Sequence, residues 1–366
     1  MGVVAFDAIV AGAGIIGGSI AWRLAQAGLR VLLLDAGRMG EEASWAGAGM
    51  LAPSGEFEVP SLLASFAIQS LRAYPRFVAE LESETGLPID YRRLGAIEVA
   101  GSEAEWRALQ ARAESLAGLG IPACPMSRED LLRELPHLNC AAGGAFFYPE
   151  DALVDPRHIM RALRSACLAR HVEIREGVGV MAIRPTSRGV EVITKDSILA
   201  ARSAVLAAGA WSSSIEVKGQ WLPRTFPIRG HLMGFQLEPG SLGPILRRDH
   251  TYILQRSNGF TIAGTSSEEC GFDRVLSPSI LCDIQARASK LLPLLAGCEP
   301  CEHWLGFRPG VEGKGPIVEG LEGTPLWLAY GHYRNGILLA PATAERVARG
   351  ITANWGTDST GRTGKL

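Results

Sequence analysis

From Ala5 to Ala11 an apolar run leads into Gly12, Gly14 and Gly17. An amphipathic stretch follows to Ala27, then a second apolar run, Val31 to Leu34, closed by Asp35. No other part of the chain constrains the fold as tightly, because this order spells one βαβ unit with a GxGxxG turn. Gly12 permits the tight turn, Gly14 lets backbone approach a pyrophosphate, and Gly17 lets helix and strand pack closely. The helix start at Ile15 and Ile16 offers free N–H groups and the positive end of the helix dipole to phosphates. Asp35, followed by Ala36, is placed to accept ribose hydroxyls. A dinucleotide is the implied ligand, and an ordinary βαβ unit is the alternative.

A chain of 366 residues with 47% hydrophobic content can bury the cores of about two domains. The net charge of −2 and the absence of like-charge blocks give no basic field for nucleic acid. No apolar run approaches the ~20 residues a membrane span requires. Seven cysteines, an odd number, scattered between Cys124 and Cys301, argue against a disulfide framework and for a reducing compartment. The expected location is therefore cytoplasmic. Cys298 and Cys301 form a lone CxxC with no second pair and no histidine cluster, so they read as incidental thiols and no metal site is expected.

Along the chain, a small-residue loop at Ser44 to Ser54 precedes a helical pattern from about Ser61 to Thr85. Tyr91 to Ala100 reads as a strand, Glu103 to Leu119 and Arg128 to Leu135 as helices, and Ala145 to Tyr148 as a strand. A helix from about Pro156 to Arg170 has Asp155 as its N-cap. Val172 to Arg175, Val178 to Arg184, Gly189 to Thr194 and Ala204 to Ala208 predict a small sheet. Phe226 to Leu237, Tyr252 to Gln255 and Gly259 to Ala263 predict an antiparallel one, with a hairpin turn at Ser257-Asn258-Gly259. A helix from Pro278 to Leu295, a strand at Leu326 to Ala329 and a helix from about Ile337 to Gly350 follow, and Thr352 to Leu366 reads as a frayed polar tail. The Gly-rich unit at the start meets the turn and helix at the end only if one domain is discontinuous. The fold class is thus α/β (α+β), a Rossmann-like domain interleaved with a mixed, largely antiparallel-sheet domain.

Three segments are more specific than the glycine turn. They are Ala43-Ser44-Trp45-Ala46-Gly47-Ala48-Gly49-Met50, Gly306-Phe307-Arg308-Pro309, and Gly331-His332-Tyr333-Arg334-Asn335-Gly336-Ile337. In order and spacing they resemble the flavin-dependent amino-acid oxidases related to D-amino-acid oxidase, the glycine oxidase (ThiO) type above all, over nearly the whole chain. The resemblance implies non-covalently bound FAD, in a domain of residues 1–85, 150–215 and 305–366. It implies a substrate domain of residues 86–149 and 216–304. It also implies a small amino-acid substrate, O₂ or another electron acceptor, a homo-oligomer, and a link to thiamine biosynthesis.

Residue by residue, the resemblance implies that Arg308 pairs with the substrate carboxylate and Tyr252 donates a second hydrogen bond to it, with Arg334 near flavin and substrate. A guanidinium suits that task because it donates two parallel hydrogen bonds to a carboxylate. Ser44, Ala46, Gly47, Gly49 and Met50 are expected against the flavin ring, and Val180 at the adenine. Ala208, Gly209, Trp211 and His332 are expected along the cofactor. The N–H groups of Asn335, Gly336 and Ile337 are expected to face its pyrimidine end, where a helix N-terminus stabilises negative charge. Structural ion pairs are the alternative for both arginines, and a cross-strand aromatic for Tyr252. His250, two residues before Tyr252, would share its strand face and the pocket. Thr265, Ser266 and Ser267 stand where glycine oxidases can carry bulky apolar side chains, which predicts a roomier or more polar pocket. Sarcosine, proline-like secondary amines and small D-amino acids therefore join glycine as substrates to test. A nicotinamide-dependent dehydrogenase and a non-catalytic flavoprotein subunit are the readings of other classes.

Overall fold

The first βαβ unit forms as its sequence dictates: a strand Phe6–Ala11, a helix Ile15–Gln26 and a parallel strand Val31–Leu34. The computed structural model describes residues 6–353 apart from 58, 137, 139–143 and 314. Among the described residues, these strands belong to a nine-stranded sheet. The strand Ile198–Leu206 lies parallel to Phe6–Ala11 on one side and to Leu326–Tyr330 on the other. Because both faces of this parallel centre are covered, its strands carry continuous apolar runs rather than alternation. One face packs the helices Ile15–Gln26, Leu62–Thr85, Pro156–Ala169 and Gly336–Ala353. The other is closed by an antiparallel extension that carries Ile183, Val190 and Val192.

A second, eight-stranded sheet is mainly antiparallel. Its long strands Thr225–Gln236 and Glu302–Val311 pair along ten residues each, from Thr225 opposite Val311 to Gly234 opposite Glu302. Phe260–Gly264, Thr251–Gln255 and Ile245–Arg248 follow in order. The helix Pro278–Leu291 covers one face of this sheet. Trp304, Leu232, Ile262 and Tyr252 on the opposite face pack against Ala46 and Ala48 of the first half. That contact holds the two sheets around a shared cavity.

Several expectations require correction. Tyr91 to Ala100 is two strands in different sheets, Tyr91–Arg92 and Ala96–Ala100, because Gly95 turns between them at φ +75°. The expected small sheet of residues 172–208 is part of the nine-stranded sheet. The helix from Pro278 ends at Leu291, since Pro293 supplies no N–H and restricts the residue before it. The last helix runs to Ala353, so Thr352 is helical rather than frayed, and residues 354–366 of the expected tail lie outside the described residues. The expected cut at residue 305 falls inside the strand Glu302–Val311, and Glu216–Val217 pairs with the nine-stranded sheet. Short strands at Met50–Leu51, Cys124–Met126, Ala152–Val154, Ile245–Arg248 and Ile317–Gly320 carry too few residues to show a period. No described helix is long and apolar enough to cross a membrane. Among the described residues no His, Cys, Asp and Glu cluster could hold a metal, and Cys298 and Cys301 are free thiols.

Candidate active site

One cavity of about 910 Å³ runs from the glycine turn to Arg308. At its first end Gly12 adopts φ +104°, and a Cβ there would lie 2.4 Å from the Ala207 carbonyl oxygen. A Cβ on Gly17 would lie 1.8 Å from the Gly12 carbonyl oxygen, so only glycine lets the helix start this close to the strand. Gly12, Gly14, Ile15 and Ile16 line the cavity, whereas Gly17 does the packing behind them. The Asp35 carboxylate accepts from the N–H of Ala13 at 2.7 Å and of Gly37 at 2.8 Å. It thereby braces the turn as well as facing the cavity, and desolvation raises its pKa against those two bonds. Ala36, Val180, Ala208 and Gly209 also line the cavity, as does Trp211, whose ring meets Phe307.

Midway, the Ser44 hydroxyl accepts from the Ile15 N–H at 2.9 Å and so ties the small-residue loop to the first helix. Gly49, at φ +86°, passes so near the Val154 carbonyl that a Cβ would lie 1.9 Å from its oxygen. Arg256 is buried behind this loop and donates to the carbonyls of Val154, at 2.6 Å, and Ala48. Burial lowers its pKa to about 10. Trp304 donates its indole N–H to the Ala46 carbonyl at 2.9 Å. Ser44, Ala46, Gly47, Gly49 and Met50 all line the cavity, as do Arg334 and Asn335 of the turn before the last helix and Gly336 and Ile337 at its start, where Ile337 packs beside Gly47.

Two expectations fail here. The Asn335 N–H donates to the His332 carbonyl at 2.9 Å, so the helix-end donors begin at Gly336. His332 does not line the cavity: its ring is buried with Nε2 3.1 Å from the Thr343 hydroxyl, and burial pushes its pKa down to about 3.

At the far end Arg308 and Tyr252 come together. Tyr252 is buried with its ring over Gly264, where a Cβ would lie 2.6 Å from the phenol oxygen. Burial raises its pKa and lowers that of Arg308. Arg308 Nη2 donates to the Thr265 hydroxyl at 2.7 Å and Nη1 to the Ser266 carbonyl at 3.1 Å. No carboxylate of the described residues pairs with it. Arg334 lines the cavity half-exposed and bridges Glu56 at 3.3 Å, so the ion pair and the pocket position hold together. His250 is not on the Tyr252 strand face: it sits exposed in the turn before that strand, at the cavity mouth. Thr265 makes the pocket polar by meeting Arg308, while Ser266 and Ser267 face an adjoining cavity of about 990 Å³ instead.

Sequence reasoning missed Glu56 and a wall formed by Glu98, Arg112 and Arg247. Arg112 and Arg247 both pair with Glu98, and Arg247 donates to Ser54 at 2.8 Å. A signal existed only for Arg247, which stands cross-strand from Tyr252.

The cavity has what a dinucleotide flavin requires: glycine-lined backbone at one helix start, small residues along its length, and a second helix N-terminus beyond them. The family described as DAO, FAD dependent oxidoreductase, matches residues 7–349. The chain is 31% identical to the glycine oxidase of Geobacillus kaustophilus over 346 residues, 94% of this chain and 92% of that protein. It is 32% identical over 351 residues to a bifunctional ThiO/ThiG protein of Synechocystis, covering 93% of this chain and 51% of that protein. The crystal structure of a glycine oxidase from Geobacillus kaustophilus superposes with a TM-score of 0.91 at 30% identity, covering 95% of each chain. The chain belongs to the DAO family of FAD-dependent oxidoreductases and is an FAD-dependent amino-acid oxidase.

Proposed function

We propose that the enzyme deaminates glycine or a similarly small amino acid, with Arg308 and Tyr252 holding the carboxylate. The observation that carries this is a half-buried guanidinium with no carboxylate partner among the described residues, beside a buried phenol, in the cavity that holds the cofactor cradle. A substrate carboxylate supplies the missing anion, and charge-assisted bonds in a dry site fix its orientation strongly. The phosphates fall to Gly12, Gly14 and the first helix, the ribose to Asp35, the adenine to Val180, and the ring to the Ser44–Met50 loop, all without a covalent link. Bound FAD supplies the acceptor for the hydride of the α-carbon and returns the electrons to O₂ as hydrogen peroxide. Gly336 and Ile337, at the start of the last helix in the cavity lining, would offer helix-end N–H groups to negative charge on the bound flavin. No side chain need act as a base: the amine enters neutral, and water hydrolyses the released imine. Catalysis by the protein is then positioning and charge placement. The relatives named glycine oxidase and ThiO/ThiG support glycine as substrate and delivery of its imine to thiamine biosynthesis.

The adjoining cavity, which shares Thr265, Arg308 and Arg334, favours a second reading in which an N-substituted glycine such as sarcosine is preferred. Anaerobic addition of each amine to the purified flavoprotein tests both. Bleaching by glycine supports the first reading, bleaching by sarcosine alone the second, and bleaching by neither of them nor by proline or D-alanine would overturn both. Readmitted air distinguishes an oxidase from a dehydrogenase that needs another carrier.

A further inference from the structure

Behind Arg308 lies a polar network whose buried members, His231 and Arg229, line neither the cofactor cavity nor the one that adjoins it. The Thr265 hydroxyl that accepts from Arg308 donates onward to the His231 carbonyl at 3.0 Å. The Ser266 hydroxyl accepts from the His231 N–H at 3.0 Å and donates to Glu268 Oε1 at 2.7 Å. The His231 ring is fully buried, with Nδ1 2.9 Å from Glu268 Oε1. The Ser277 N–H lies 3.1 Å from Nε2, an arrangement that in a neutral ring puts the proton on Nδ1, facing Glu268. Burial also disfavours a second proton. Glu268 Oε2 takes Arg229 Nη2 at 2.6 Å, and Arg229 Nη1 continues to Asp273 Oδ2 at 2.5 Å. Backbone bonds of 2.9 and 3.0 Å between Arg229 and Glu268 close the frame.

The hydrogen-bond acceptors of the Arg308 guanidinium thus belong to residues 265–266 and to Arg229, which are tied to His231 and Glu268 and, at the Thr265 carbonyl, to Arg287. We propose that His231 and Glu268, with Arg229, form a positioning unit that fixes where Arg308 presents its fork, and so sets the affinity for a carboxylate without touching substrate. This rests on Arg308 being the carboxylate clamp. A buried histidine bonded at both ring nitrogens suits the task, because its bonds point in fixed directions and hold the ring in one place.

The test uses the flavin-loaded enzyme. It measures KM and kcat for glycine and the dissociation constant of acetate, a carboxylate without the amine, by perturbation of the flavin spectrum. His231→Phe and Glu268→Gln are each expected to raise KM and the acetate constant together by about tenfold while kcat changes by less than about twofold. His231→Asn, which keeps a donor toward Glu268, is expected to recover most of that loss. A change of global stability alone would not move the two affinities in parallel. Unchanged acetate affinity in both variants, or a fall in kcat with acetate affinity intact, overturns the proposal. If His231→Phe does not retain flavin, Glu268→Gln decides it. Arg308→Lys run alongside separates the two levels: acetate binding lost there but kept in the His231 and Glu268 variants sinks only the positioning unit. Acetate binding kept in all of them sinks the clamp itself.

Discussion

Arg308 is half-buried with backbone and hydroxyl acceptors but no anion among the described residues, an arrangement that costs free energy until a ligand supplies the charge. Arg308→Ala is expected to lower kcat/KM by about a thousandfold, near 4 kcal/mol, with flavin content unchanged, as steady-state oxidase assays on the yellow protein would show. His332 makes the opposite point, since a histidine in a specific motif proves to be a neutral packing residue. Its folded pKa of about 3 lies below the unfolded value near 6.5. As pH falls through that window the unfolded chain gains a proton that the folded chain refuses, so stability drops by about 1.4 kcal/mol per pH unit. His332→Gln is expected to flatten that slope in urea unfolding at pH 5 relative to pH 7, and an unaltered slope would refute the burial argument. At this scale the sequence revealed which residues are chemically unusual and not which way they point. Arg308 and Tyr252 were legible through motif and residue type. The failures at His332, His250 and the Asn335 N–H came from local hydrogen bonds and a turn that no residue type announces.

Elements were legible where the physics is local. The glycine turn is a chain of steric requirements within twenty-five residues, and it formed as read. Gly17→Ala must push the first helix off the Gly12 carbonyl, and it is expected to yield protein that has lost most of its flavin absorbance. Asp155 was readable as an N-cap because a capping acid precedes a proline. It accepts from the N–H groups of Arg157 and His158 at 2.8 and 3.4 Å. Asp155→Ala is expected to cost about 1–2 kcal/mol in chemical denaturation, with part of that loss arising from the weaker charge balance at buried Arg256. Short strands such as Ala152–Val154 were illegible because partners on both sides, not their own pattern, make them strands.

At the scale of the molecule, the seam between the sheets depends on absent side chains. A Cβ on Gly306 would lie 2.5 Å from the Ala46 Cβ, at the point where the eight-stranded sheet meets the loop that lines the cavity. Gly306→Val is expected to wedge the two apart and lower kcat/KM at least about tenfold, while the unfolding midpoint moves by only a few degrees. Equal activity would mean that the seam tolerates separation. Interleaving was readable from the order of motifs, but the register of Glu302–Val311 on Thr225–Gln236, which delivers Arg308 to the cavity, joins residues more than sixty positions apart along its whole length. The same arrangement sets a clock on maturation. The cavity takes residues 12–16 from the start of the chain and 334–337 from near its end, and the first helix packs in one core with the last. A ribosome making this protein must therefore release both stretches before the flavin site exists, so a nascent chain whose residues 334–337 have not yet left the ribosome is expected to be colourless, and cofactor capture waits on the second stretch rather than on the glycine turn.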